Sequence, residues 1–84
     1  MKIKIFWKKN CPNCPKAKSL GKQLEKEIPV QYFDVDTVDG LTEACLHNIL
    51  STPSIVIVDN GENEIRVWRG ETPHLEEIRE EAAI

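Results

Sequence analysis

Apolar residues recur along the chain with two spacings, and the switches between them divide it into strands and helices. Lys2–Trp7 alternates charged and apolar side chains, then runs apolar through Ile5-Phe6-Trp7, as a first strand does. Lys8-Lys9-Asn10 reads as a loop. Cys14, Ala17, Gly21, Leu24 and Ile28 then recur every three or four positions, with Leu20 beside them, which predicts a helix from near Pro12 to about Glu27. Gly21 lies on its inner face and predicts close approach to a sheet, since an unrewarded glycine costs a helix about 1 kcal/mol. Pro29 ends the element. Val30–Asp36 is a second strand, packing through Val30, Tyr32 and the Phe33/Val35 pair. Leu41–Leu50 reads as a second helix, with Leu41, Cys45 and Ile49 on one stripe and Ala44 beside it. Ser54–Asp59 is almost continuously apolar, as in a strand buried on both faces. Asn60-Gly61 signals a two-residue hairpin turn, and Glu62–Arg69 is its partner strand, with Ile65 and Val67 inward. Thr72-Pro73 reads as an N-cap followed by proline at the first helical position. The helix it opens carries Leu75, Ile78 and Ala82 inside.

Strand–helix–strand order favours a right-handed crossover and a parallel pair, and the terminal hairpin must be antiparallel. The expected fold class is α/β: a mixed four-stranded sheet with three flanking helices, in the order β-α-β-α-β-β-α. Eighty-four residues suffice for one domain, residues 1–84, without a second core. A net charge of −3 and the lack of a long basic run give no case for nucleic-acid binding. The longest aliphatic run, Ile55–Val58, is far short of the ~20 residues a membrane helix needs. The N-terminus has no apolar signal-peptide core, so a cytoplasmic protein with no membrane association is expected; a monomer is expected as well. Three cysteines do not make a secreted disulfide framework. In a reducing compartment a close pair is catalytic or metal-binding.

That pair is Cys11-Pro12-Asn13-Cys14, at a strand-to-helix junction. Read as N-cap, Cys11 would face the amides of Asn13 and Cys14, with Pro12 supporting the first helical position. Helix amides and dipole, with Lys8 and Lys9 nearby, favour a thiolate at Cys11, below the free thiol value of ~8.5. Cys14, one turn on, faces inward. Cys11 is then the attacking thiol and Cys14 the resolving one. Pro15, at the fourth helical position, is expected to loosen the first turn. The competing reading is half of a zinc site, which needs four ligands. Cys45 and His47 are the available second pair. Cys45, however, lies on the expected inner stripe, where free cysteine is a common core residue, and His47 points to another side of that helix.

Among the remaining residues, Lys8 either steers an acidic partner or is a solvated loop lysine. Trp7 reads as a half-buried strand aromatic or a contact residue beside the site, and Trp68 as an outward residue covering the sheet or, with Arg69, a border of the substrate groove. Asp34 and Asp36 share a strand face with nothing hydrolytic near them. His74 has no assigned role, and Glu76–Glu81 is a solvated face.

The sequence resembles the thioredoxin/glutaredoxin superfamily over nearly its whole length. Phe6-Trp7-Lys8-Lys9-Asn10-Cys11-Pro12-Asn13-Cys14 is similar to a glutaredoxin start, with a lysine three residues before C-P-x-C. Ser51-Thr52-Pro53, just before the third strand, is similar to the family's cis-proline segment. The resemblance implies a cis Pro53 and a Thr52 backbone that pairs with substrate beside the dithiol. It departs from the thioredoxin pattern in lacking W-C-G-P-C and a buried aspartate on the first strand. Where glutathione-using glutaredoxins carry Gly-Gly and acidic residues, this chain has Arg69-Gly70-Glu71-Thr72-Pro73. The implied activity is thiol–disulfide exchange on protein disulfides, with electrons from a thioredoxin-reductase-like or ferredoxin-dependent reductase. The implied substrate-side residues are Lys8, Thr52, Pro53 and Gly70. No cofactor or metal is expected beyond the redox-active Cys11–Cys14 disulfide. A glutathione-dependent glutaredoxin and a cysteine-based zinc module are the alternatives.

Overall fold

A computed structural model describes residues 1–83. Its strands are β1 (Lys2–Trp7), β2 (Val30–Asp34), β3 (Ser54–Val58) and β4 (Glu64–Arg69), and its helices are α1 (Cys14–Leu24), α2 (Val38–Leu46) and α3 (Leu75–Ala82). The sheet order is β2-β1-β3-β4. β1 runs parallel to β2 and antiparallel to β3, and β3 and β4 form the antiparallel hairpin. The expected element order, mixed sheet and three helices are all present. No helix among the described residues is long and apolar enough to cross a membrane.

Strand period divides the core into two layers. On one face, Ile3 and Ile5 of β1, Ile55 and Ile57 of β3 and Trp68 of β4 pack on α1 through Ala17, Leu20 and Leu24, and on α3 through Ile78 and Ala82. On the other, Phe6, Val56 and Val58 pack on α2 through Ala44, with Ile49 closing the layer. Gly21 does make the predicted close approach: a Cβ there would lie 2.6 Å from the end of Ile5 and 2.7 Å from the Tyr32 hydroxyl.

Several boundaries and faces differ from the sequence reading. α2 begins at Val38, because the Thr37 hydroxyl accepts a hydrogen bond from the Gly40 amide at 3.0 Å and caps it. It ends at Leu46, because Asn48 turns into the left-handed region at φ 56°. The Asn48 amide then bonds the Cys45 carbonyl and the Ile49 amide the Ala44 carbonyl. This is a Schellman closure, with Ile49 and Ala44 meeting in one core layer. The buried positions of α2 are therefore Gly40 and Ala44, whereas Leu41 and Cys45 are exposed. Asn60-Gly61 lies within a longer loop, where the Asp59 carboxylate accepts from the Gly61 and Asn63 amides and Glu62 sits at φ 64°. β4 consequently starts at Glu64. Trp68 points into the core, 2% exposed, while Ile65 is outside. α3 starts at Leu75 with His74 as N-cap, and the Thr72 hydroxyl has no partner among the described residues.

Candidate active site

Cys11 and Cys14 form a disulfide across a tight turn. The Cys14 amide donates to the Cys11 carbonyl at 3.2 Å, and Asn13 has φ −99° and ψ −3°. Those angles belong to the third position of a type I turn, and proline suits the second because its φ is already fixed near the required value. Pro12-Asn13 thus brings the two Cα atoms to 5.4 Å, inside the span a disulfide requires.

This corrects the expected local geometry. Asn13, not Cys11, is the N-cap of α1, and it makes no side-chain capping bond. Pro12 supports the turn and not the first helical position. Pro15 occupies the first helical turn, where a missing amide is harmless. With the Cys14 amide taken by the Cys11 carbonyl and none on Pro15, fewer helix-end donors are left for Cys11 than an N-cap position would offer. The two cysteines differ in exposure. Cys11 is half-buried and Cys14 is 2% exposed.

The Thr52-Pro53 peptide is cis, and Pro53 is buried while Ser51 is exposed. This segment separates two clefts. One, of about 230 Å³, is lined by Lys8 and Thr52 together with Leu41, Ala44 and Leu50. The other, of about 290 Å³, is lined by Pro53 and Gly70 with Asn13, Lys16, Glu71 and Thr72. The four residues expected on the substrate side therefore fall into two pairs, Lys8 with Thr52 and Pro53 with Gly70. Gly70 stands at φ 71°, where a side chain would be strained. Trp7 is half-buried and covered by the Lys18 ammonium, 3.3 Å from the ring centroid.

The sequence reading missed a charged cluster on the α2 side of the sheet. Lys4 is 1% exposed. Its ammonium donates to Glu43 at 3.0 Å, to Glu62 at 3.2 Å and to His47 Nε2 at 3.1 Å. An ammonium only donates, so Nε2 is the acceptor, and Nδ1 carries the proton toward Glu64 at 2.7 Å. His47 is thus engaged at both ring nitrogens, while Cys45 lies on the opposite, exposed side of α2. The two do not form the second half of a zinc site with Cys11 and Cys14, and among the described residues no group of three His, Cys, Asp or Glu side chains is placed to hold a metal. β1 is a central strand with both faces covered, a placement the pattern of residues alone does not give.

The thioredoxin domain family profile matches residues 1–82. A probable thioredoxin of Archaeoglobus fulgidus is 37% identical over 59 residues, covering 68% of this chain and 65% of that protein. A thioredoxin of Methanocaldococcus jannaschii is 34% identical over 68 residues, covering 76% and 75%. The matched stretch therefore spans just under two thirds of the first relative and three quarters of the second. Among solved structures, thioredoxin 1 of Thermosipho africanus superposes with a TM-score of 0.71 at 22% identity, covering 99% of this chain and 91% of that one. At that identity the likeness is one of fold.

Proposed function

The chain belongs to the thioredoxin family of thiol–disulfide oxidoreductases, and on that premise we propose that it is a dithiol carrier that reduces protein disulfides through Cys11 and Cys14. The observation that carries the proposal is the unequal exposure of the two cysteines at one turn: Cys11 half-buried, Cys14 2% exposed. In the reduced protein the Cys11 thiolate attacks one sulfur of a substrate disulfide. The substrate's other sulfur leaves as a thiolate and takes up a proton. Cys14, deprotonated, then attacks the Cys11 sulfur and releases the second substrate thiol. Two electrons pass to the substrate, and Cys11–Cys14 is left as the disulfide. A reductase of the flavin- or ferredoxin-dependent kind returns the two electrons.

In this reading the Thr52 backbone pairs with the substrate chain next to its reacting sulfur, with Lys8 and Gly70 bordering the two clefts. The carrier needs no cofactor beyond the dithiol and acts as a monomer in a reducing, cytoplasmic compartment. A reductase is the proposed donor in preference to glutathione, because the Arg69-Gly70-Glu71 stretch lacks the double glycine usual in glutathione-using glutaredoxins. Reduction of insulin by dithiothreitol tests the proposal. The protein is expected to accelerate it and Cys11→Ser to fall to the uncatalysed rate, while Cys14→Ser mixed with insulin after removal of dithiothreitol should accumulate a mixed disulfide. A Cys11→Ser protein that keeps its activity would overturn the assignment. Robust turnover with glutathione and glutathione reductase would overturn the choice of donor.

A further inference from the structure

The two loops that line a cleft with Asn13 of the Cys11–Cys14 turn are held by one buried hydroxyl. Ser54 follows the cis proline directly and is fully buried at the start of β3. Its hydroxyl donates to the Ser51 carbonyl at 2.7 Å and accepts from the Gly70 amide at 3.1 Å. The first bond closes the Ser51-Thr52-Pro53 loop on itself, and the second ties that loop to the turn after β4. Ser54 also stands in register between Phe6 of β1 and Arg69 of β4, so the hydroxyl is fixed by the sheet on both sides. Arg69, its partner on β4, adds a second tie, donating to the His47 and Asn48 carbonyls at 3.0 and 3.2 Å. Those carbonyls head the segment that leads into Ser51.

A hydroxyl has one proton to give, and Ser54 spends it on Ser51, which leaves its lone pairs for Gly70. Alanine here would free two loop groups at once. Both bonds are only part-buried, and Ser51 and Gly70 are themselves exposed residues. Losing the hydroxyl should therefore release the loops without unfolding the sheet.

We propose that Ser54 is a positioning residue that sets the spacing between the Thr52-Pro53 segment and Gly70, and so governs how well a protein substrate docks against the disulfide. It acts on docking and not on the chemistry at sulfur, because its hydroxyl bonds the Ser51 carbonyl and the Gly70 amide and neither cysteine. The inference rests on the proposed pairing of substrate with the Thr52 backbone. It concerns a different measurement, the dependence of rate on protein-substrate concentration.

Wild type, Ser54→Ala and Ser54→Thr should be compared in two assays. One is exchange of the reduced protein with a small aromatic disulfide, which needs no docking surface. The other is steady-state reduction of insulin. Ser54→Ala is expected to raise KM for insulin about five- to tenfold with kcat within twofold, and to keep its small-disulfide rate within twofold. Ser54→Thr, which retains the hydroxyl, should restore KM. Circular dichroism of each variant confirms that folded proteins are compared. If the threonine methyl is not accommodated, amide hydrogen exchange in Ser54→Ala decides instead, with faster exchange expected at Gly70. An unchanged insulin KM in folded Ser54→Ala overturns the inference, as do equal losses in both assays or unchanged exchange at Gly70. A wild-type protein inert toward both substrates would instead sink the proposed function itself.

Discussion

Asn10 shows how one residue can shape the approach to the disulfide. It precedes Cys11 at φ 61°, in the left-handed region. Most L-residues lose roughly 1–2 kcal/mol there, whereas glycine and asparagine tolerate it. Asn10→Gly should leave the melting temperature nearly unchanged. Asn10→Val should lower it by several degrees, given about 4–8 °C per kcal/mol in a domain this small; equal melting points for the two would show that the turn relaxes freely. Single residues were unevenly legible in the sequence. The cysteine pair could be read because its spacing is local, whereas the cis Thr52-Pro53 bond was implied only by the family resemblance. Lys4 could not, because a strand's alternation gives the face a side chain takes but not what covers that face. His47 was read as turned away from the inner stripe, yet it points into the sheet and bonds Lys4 and Glu64.

At the scale of elements, α2 is where the sequence misled most. Apolar residues surround it: Val38, Leu41 and Leu46 are all exposed, so periodicity alone could not pick the buried side. What fixes the side is Gly40, whose missing Cβ lets the helix rest on the Asp34 backbone. A methyl group there would overlap the Asp34 carbonyl, and backbone cannot swing aside as a side-chain end can. Gly40→Ala should therefore cost at least the ~1–3 kcal/mol typical of overpacking, read as a lower urea midpoint with an unchanged slope. Gly21→Ala meets the movable ends of Ile5 and Tyr32 and should cost less. A reversed ranking would mean that α2 is not seated where Gly40 places it. The strands were easier to read. Ser54–Asp59 was expected to be buried on both faces, and β3 is a central strand with every residue buried. The hairpin loop was harder, because the Asp59 carboxylate organises five residues where the Asn-Gly pair alone implies two.

At the scale of the whole molecule, charge links distant parts of the chain. Lys2 and Lys4 at one end of the sequence bond Glu62 in the hairpin loop. The hydrogen bond from Lys2, followed by that from Lys4, lowers the Glu62 carboxyl below its usual value. The Asn63 amide does the same for Asp59. A carboxyl depressed in the folded state adds stability above its unfolded pKa and loses it as pH falls through the folded one. Thermal stability should therefore hold from neutral pH to about pH 5 and decline below it, within the carboxylate range. Glu62→Gln should flatten that decline, and an identical pH profile for the variant would show that the pair contributes nothing. The third thiol has a practical consequence. Cys45 stands exposed on the outer side of α2, apart from the disulfide, so each molecule carries its own internal standard for oxidation state. An aromatic disulfide reagent should count one reactive sulfur per oxidised chain and three per fully reduced, denatured chain. The fraction of carrier charged with electrons can then be read from the ratio alone, without knowing the protein concentration.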